Sequence, residues 1–217
     1  MPRDDIAQRF VCAVDLVRSG GCLIYPTETL YALGGDGRSD RAAARVQELK
    51  GRPGDKPLPL IIGGLDMLPL VTERAGEAFL RLVNAFWPGP LSVLVPALAS
   101  LPAAVKDLRG MTSVRVSPHP VAARLSREAG CPLIATSANL SGQPPACRPG
   151  ELDPVLARAA DLVLDEPPWP GGGAPSTVVE LLEQGGGLRL KVLRLGAITE
   201  EALLRAGFLL DQGGEKS

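Results

Sequence analysis

The chain has 217 residues, with 23 Lys plus Arg against 24 Asp plus Glu and a net charge of −1, which excludes bulk electrostatic attraction to nucleic acid or membrane and leaves only a local basic patch. One histidine, His119, excludes any site built from two, and four scattered cysteines with no C-x-x-C pair suggest neither a zinc site nor a disulfide framework. Glycine (25) and proline (21) together make about a fifth of the chain, against about 12% in ordinary proteins, so many tight, fixed loops are expected.

The first predicted element is a helix with Ile6, Phe10, Ala13, Val14 and Val17 on one face, capped by Asp4 or Asp5 and stopped at Gly20. Cys22 to Tyr25 reads as a buried strand ended by Pro26, followed by the polar loop Thr27-Glu28-Thr29 and then 30–35. Asp40 opens a second helix through Ala43, Val46 and Leu49, and the basic loop 50–57 leads to a strand at Leu58–Ile62. A third helix carries Phe79, Leu82, Val83 and Phe86 and ends at Trp87-Pro88-Gly89-Pro90, which reads as a rigid turn. Strands are predicted at 91–95, 113–116 and 132–135, with a helix at 121–129 stopped by Gly130.

Beyond these come a helix at 153–160, a strand at 162–164, a Pro/Gly loop at 166–175, and a hairpin of 177–182 with 188–193 across Gly185-Gly186-Gly187. Thr199 caps a last helix, and the tail at 211–217 is expected to be loose. Strands and helices alternate, but several strands come in neighbouring pairs. That pattern predicts an α/β domain over 1–210 with a twisted mixed sheet and flanking helices. The first residues show no apolar signal-peptide core and no apolar run reaches about 18 residues, so a cytoplasmic protein without a membrane span is expected.

Four loops could carry chemistry. Lys50, Arg52 and Lys56 place three cations on a Gly/Pro loop between a helix and a strand. Convergence on a phosphate chain would relieve their repulsion; a solvated turn is the plainer reading. Thr136-Ser137-Ala138-Asn139-Leu140-Ser141-Gly142 follows a buried strand, where α/β proteins commonly bind ligands, although such a loop can also just satisfy its own backbone. In Pro26-Thr27-Glu28-Thr29-Leu30-Tyr31 two hydroxyls flank a carboxylate, and Pro175-Ser176-Thr177 ends the Gly-rich loop. Both also read as ordinary turns. Arg115 points away from its flanking valines, either into solvent or toward a carboxylate. His119, before Pro120, reads as a helix-start residue with no Ser or Cys context for a triad. No G-x-x-x-x-G-K-[ST] or complete G-x-G-x-x-G occurs, so a nucleotide would be bound in some other way.

Taken in order, PTETLYALG at 26–34, KGRPGDKPL at 50–58, WPGPLS at 87–92, SVRVSPHP at 113–120, TSANLSG at 136–142, PSTVVEL at 175–181 and VLRLG at 192–196 resemble the YrdC family of threonylcarbamoyl-AMP synthases. The resemblance spans nearly the whole chain. It implies a twisted mixed sheet around a concave, basic groove. It also implies a reaction in which L-threonine and bicarbonate or CO2 form a carbamate that attacks the α-phosphate of ATP, giving threonylcarbamoyl-AMP and pyrophosphate. The product feeds tRNA threonylcarbamoyladenosine formation through a separate transferase complex.

By the same resemblance Lys50 and Arg52 are catalytic, and Lys50, Arg52 and Lys56 line the phosphate path. Ser137, Asn139 and Arg194 contact the nucleotide; Thr29, Arg115, Thr136 and Ser176 hold threonine, with Arg115 on its carboxylate. No cofactor is held tightly and no metal cage is offered, so Mg2+ is expected to arrive with ATP. The chain departs from the family at Ala32, where Gly is usual, at Ser92 (usually Thr), at Ser117 (usually Pro) and at Ile61, where some members carry a threonine-contacting His. Two rival functions are a carbamoyl-AMP-forming domain of hydrogenase maturation, whose chains carry cysteine-rich zinc modules absent here, and a non-catalytic relative that contacts RNA or nucleotide through the groove. Only eight aromatic residues weigh against an RNA module built on base stacking.

Overall fold

The computed structural model describes residues 3–51, 56–184 and 187–211. Six helices and eleven strands follow in the order α1 (Arg3–Arg18), β1 (Leu23–Pro26), β2 (Tyr31–Gly34), α2 (Asp40–Lys50), β3 (Leu60–Ile62), α3 (Glu77–Phe86), β4 (Leu91–Pro96), β5 (Met111–Val116), α4 (Pro120–Ala129), β6 (Leu133–Ile134), β7 (Thr136–Ser137), α5 (Pro154–Ala159), β8 (Leu162–Val163), β9 (Thr177–Gln184), β10 (Gly187–Arg194), α6 (Glu200–Arg205) and β11 (Leu209–Leu210) among the described residues. The strands form two mixed sheets, ordered β7-β2-β1-β8 and β11-β10-β9-β4-β5-β3-β6.

Local chemistry explains most boundaries. α1 already runs from Arg3, so Asp4 and Asp5 lie inside its first turn rather than capping it; its end at Gly20 has φ 76°, a left-handed conformation that glycine adopts without strain. α2 is capped by Ser39, whose hydroxyl accepts from the Ala42 amide, one residue before the aspartate the sequence suggested. Gly51 (φ 57°) and Gly130 (φ 70°) close α2 and α4 in the left-handed region. The segment after the Thr27–Thr29 loop is a strand, β2, paired antiparallel with β1 from Pro26–Tyr31 to Leu23–Gly34.

The two sheets come together at Gly34. A Cβ there would lie 1.6 Å from the carbonyl oxygen of Ile134, so no larger residue fits this crossing. One apolar core joins Val46 of α2 and Leu82 of α3 to Val93, Val114 and Val179 of the larger sheet. A second packs Phe10, Val14 and Val17 of α1 and Leu125 of α4 on Leu23 and Tyr25 of the smaller one. Helices therefore pack on both sheets, and a concave space remains between the sheets. None of the described helices is long and apolar enough to cross a membrane.

Candidate functional site

A cleft of about 580 Å³ opens between the two sheets, large enough for a nucleotide-sized ligand. Its walls come from the β1–β2 loop, the segment leading into β3, β4 and β5, the β6–β7 junction and the ends of β9 and β10.

Strand alternation sets the floor. On β5, Val114 and Val116 face the core, while Met111, Ser113 and Arg115 face the cleft. Arg115 is only 7% exposed. Its Nη1 donates to Glu28 Oε1, and the other carboxylate oxygen of Glu28 accepts from the Ser117 hydroxyl. Burial alone would raise the Glu28 carboxyl. The Arg115 charge and hydrogen bond, with the Ser117 hydroxyl, outweigh it and hold the carboxyl below its usual value. Glu28 is thus a half-buried anion that compensates Arg115, a pairing the sequence reading did not assign.

The β1–β2 loop divides its two threonines. Thr27 closes a local turn, its hydroxyl donating to the Leu30 carbonyl at 2.7 Å. Thr29 is buried, lines the cleft, and its hydroxyl makes no hydrogen bond to the described residues. Thr136 and Ser137 line the same wall from β7, which pairs with β2. On the far side Ser176 and Ser92 share a hydrogen bond of 3.0 Å. Arg194 reaches over them, donating from Nε (3.2 Å) and Nη2 (2.8 Å) to the Ser176 carbonyl and from Nη2 to its hydroxyl (3.1 Å). Burial and the neighbouring Arg115 lower the Arg194 pKa, the signature of a half-buried cation that faces another cation. An anion entering the cleft would relieve both.

The basic loop is less uniform than its sequence. Lys50, expected on the phosphate path, is 2% exposed. Its ammonium donates to the carbonyls of Ser137 and Asn139, both at 2.6 Å, and to Asn139 Oδ1 at 3.1 Å. In return the Ser141 hydroxyl donates to the Lys50 carbonyl at 2.9 Å. The Asn139 amide donates to the carbonyls of Leu140 and Gln143. Both side chains expected on ATP are therefore engaged in shaping the 136–142 loop. Lys56 is exposed and lines the cleft; Arg52 lies outside the described residues. Arg109, which the sequence reading did not single out, joins the cleft wall, bonded to Asp107 (3.1 Å) and Glu180 (2.7 Å). No short motif surrounds it, so only the folded sheet reveals it.

His119 stands behind the floor. It caps α4, its Nδ1 accepting from the Val121 amide at 3.3 Å, while Nε2 lies 2.9 Å from the Pro168 carbonyl and is assigned the proton. Burial lowers its pKa more than the Pro168 hydrogen bond and the Glu28 charge raise it. It is a structural imidazole away from the cleft wall.

The fold and cleft define a mixed-sheet α/β protein with an arginine-bearing, hydroxyl-lined cleft. The sequence model of the Sua5/YciO/YrdC family, described as "Telomere recombination", matches residues 15–196, and the chain belongs to this family. A threonylcarbamoyl-AMP synthase of Xanthomonas campestris pv. campestris is 42% identical over 155 residues, 70% of this chain and 83% of the relative. The crystal structure of P. abyssi Sua5 complexed with L-threonine superposes with a TM-score of 0.83 at 27% identity over 95% of this chain. That alignment covers 59% of the longer P. abyssi protein, so the chain spans about three fifths of its length. E. coli YciO superposes with a TM-score of 0.74 at 26% identity, covering 88% of this chain and 90% of that one.

Proposed function

We propose that the cleft makes threonylcarbamoyl-AMP and pyrophosphate from L-threonine, bicarbonate or CO2, and MgATP, with the domain at 1–210 carrying the site. The observation that carries this reading is that a buried Arg115, Arg194 and a Thr29 hydroxyl with no hydrogen-bond partner among the described residues all line one cleft. Arg115 takes the threonine carboxylate; Thr29, Thr136 and Ser176 surround its amine and side chain. Arg194, Ser137, Lys56 and Arg52 take the nucleotide and its phosphates. Lys50 and Asn139 act by holding the loop that presents Ser137. The synthase naming of a relative at 42% identity supports the reaction, and the P. abyssi threonine complex supports the amino acid.

The threonine amine adds to CO2 and gives up a proton to solvent, forming a carbamate. A carbamate oxygen attacks the α-phosphorus, the bond to the α,β-bridging oxygen breaks, and pyrophosphate leaves. The reaction requires no enzyme nucleophile, so positioning of two anions and stabilisation of the developing phosphoryl charge are the protein's contribution. Cytoplasmic residence, delivery to a transferase that modifies tRNA, and a passing RNA contact at the groove belong to the same reading.

The test is incubation with MgATP, bicarbonate and threonine, with direct detection of threonylcarbamoyl-AMP and pyrophosphate and each substrate omitted in turn. Product that requires all three is expected. Nucleotide binding without threonine-dependent turnover would favour the non-catalytic relative.

A further inference from the structure

We propose that Glu28 and Ser117 are positioning residues for the amino acid: they hold Arg115 by one nitrogen so that its other edge stays open to a carboxylate. The inference rests on the synthase reading above, in which Arg115 receives threonine.

A guanidinium offers five N–H donors in a rigid plane, and it grips a carboxylate best through two parallel bonds from one edge. Glu28 engages only Nη1 of Arg115. Nε and Nη2, which together form the side edge of the fork, have no partner among the described residues, and Arg115 lines the cleft. The edge suited to two parallel bonds is therefore the one left open.

Glu28 is itself held. Ser117 donates to its second carboxylate oxygen. The Ser117 hydroxyl in turn accepts from the His119 amide at 3.2 Å, which orients its own proton toward Glu28. The Glu28 backbone carbonyl accepts from Gly171 at 3.1 Å, and the Thr29 carbonyl accepts from Gly172 at 3.0 Å. One hydrogen-bonded unit thus fixes the Glu28 carboxylate on Arg115 and ties down the backbone of Thr29, which lines the same cleft. A proline at 117 would have no hydroxyl to give, so the second anchor of Glu28 belongs to the residue this chain carries there.

The anchored carboxylate also separates this arrangement from a competitive one. A loose glutamate would occupy the site until substrate displaced it, and its removal would tighten threonine binding. Held by Ser117 and the 171–172 backbone, Glu28 instead keeps Arg115 aimed, and its loss weakens threonine binding.

The experiment compares steady-state kinetics of wild type, Ser117→Ala, Ser117→Thr and Glu28→Gln, each with threonine and ATP varied separately and folding checked by thermal melting. Ser117→Ala is expected to raise the threonine KM about five- to tenfold, less than the full worth of a hydrogen bond to a charged group because Ser117 acts on Arg115 only through Glu28, with the ATP KM changed less than about twofold. Ser117→Thr, which keeps the hydroxyl, restores the threonine KM. Glu28→Gln raises it by about tenfold or more, and adding Ser117→Ala to it does little further because both act on one partner. A folded Ser117→Ala protein with unchanged threonine KM, an equal rise for both substrates, or a lower threonine KM in Glu28→Gln would each overturn the proposal. Wild-type protein that makes no threonine-dependent product would overturn the synthase reading instead, a distinct result.

Discussion

The Lys50 ammonium is bound to Asn139 twice, through its backbone carbonyl at 2.6 Å and its side-chain oxygen at 3.1 Å. A cation at the last turn of α2 thereby acts as the template for a loop nearly ninety residues away in sequence. Burying an ammonium is costly unless its three protons find acceptors, and this loop supplies them with Ser137.

Lys50→Met keeps the length of the side chain and removes the donors. Three loop acceptors then lose their partner, and the expected cost is about 2–3 kcal/mol, in the range for a hydrogen-bonded charge. The variant should melt at clearly lower temperature and show faster amide exchange across 136–142, with activity falling as Ser137 shifts. Unchanged melting with lost turnover would return Lys50 to the direct phosphate role suggested by its sequence.

Choice of amino acid follows from the hydroxyls. Thr29, Thr136 and Ser176 are buried at the cleft, and Ser92 backs Ser176 at 3.0 Å. Threonine can pair its hydroxyl there, whereas valine, of nearly the same shape, leaves a buried polar group unpaired. The penalty is about 1–3 kcal/mol, or roughly five- to more than a hundredfold in kcat/KM. Serine keeps the hydroxyl and lacks one methyl, so it should compete better than valine. A competition assay that finds valine and threonine used equally would dismiss this pocket while leaving the ATP chemistry in place.

Much of this arrangement is legible in the sequence because it depends on local signals. Helical periodicity, the Gly20 and Gly130 stops and the alternation of Val114, Arg115 and Val116 all predict what the fold displays. Strand β2 escapes because Tyr31–Gly34 is too short and too uniformly apolar to alternate, and its antiparallel pairing with β1 gives it its structure. The Glu28–Arg115 pair spans 87 residues, and no local pattern reports a contact of that range. Lys50 has contacts that its neighbours in sequence do not report: three clustered cations look equivalent in a sequence, yet helix α2 turns this one inward.

The cysteines divide by burial. Burial first, then nearby carboxylates, push the thiols of Cys22 and Cys131 up to about 12. Since the thiolate is the nucleophile, neither should react at pH 8 in the native state. Cys12 is exposed and Cys147 half-buried, so native protein should take up at most two alkyl labels and denatured protein four. Mass spectrometry counts them. Cys12→Ser and Cys147→Ser should each keep most turnover, as a route without an enzyme nucleophile requires; abolished turnover in either folded variant would demand a covalent intermediate.

The single histidine makes the acid side of the stability profile readable. Burial holds the native His119 pKa below the ordinary 6.5, against the opposing pull of the Pro168 carbonyl and Glu28. The unfolded chain therefore binds a proton that the native state refuses, and stability must rise with pH across that interval. The contribution is complete above about pH 6.5 and is lost as pH falls through the lower, native value, each unit of depression being worth about 1.4 kcal/mol. Glu28 has the same sign, but its window opens only below its ordinary 4.5. The buried thiols titrate far above. Between pH 7 and 5 the slope thus belongs mainly to His119, the chain's one histidine. Urea midpoints measured across this range should decline with acidification in the wild type. His119→Asn keeps an acceptor for the Val121 amide and removes the titrating ring, so its profile should be flatter, with a lower plateau because the Pro168 contact is gone. Turnover at pH 7 should survive in the folded variant, since the imidazole stands behind the cleft floor. An equal slope in both proteins would place the titrating group elsewhere, and abolished turnover in folded His119→Asn would bring the histidine into the chemistry.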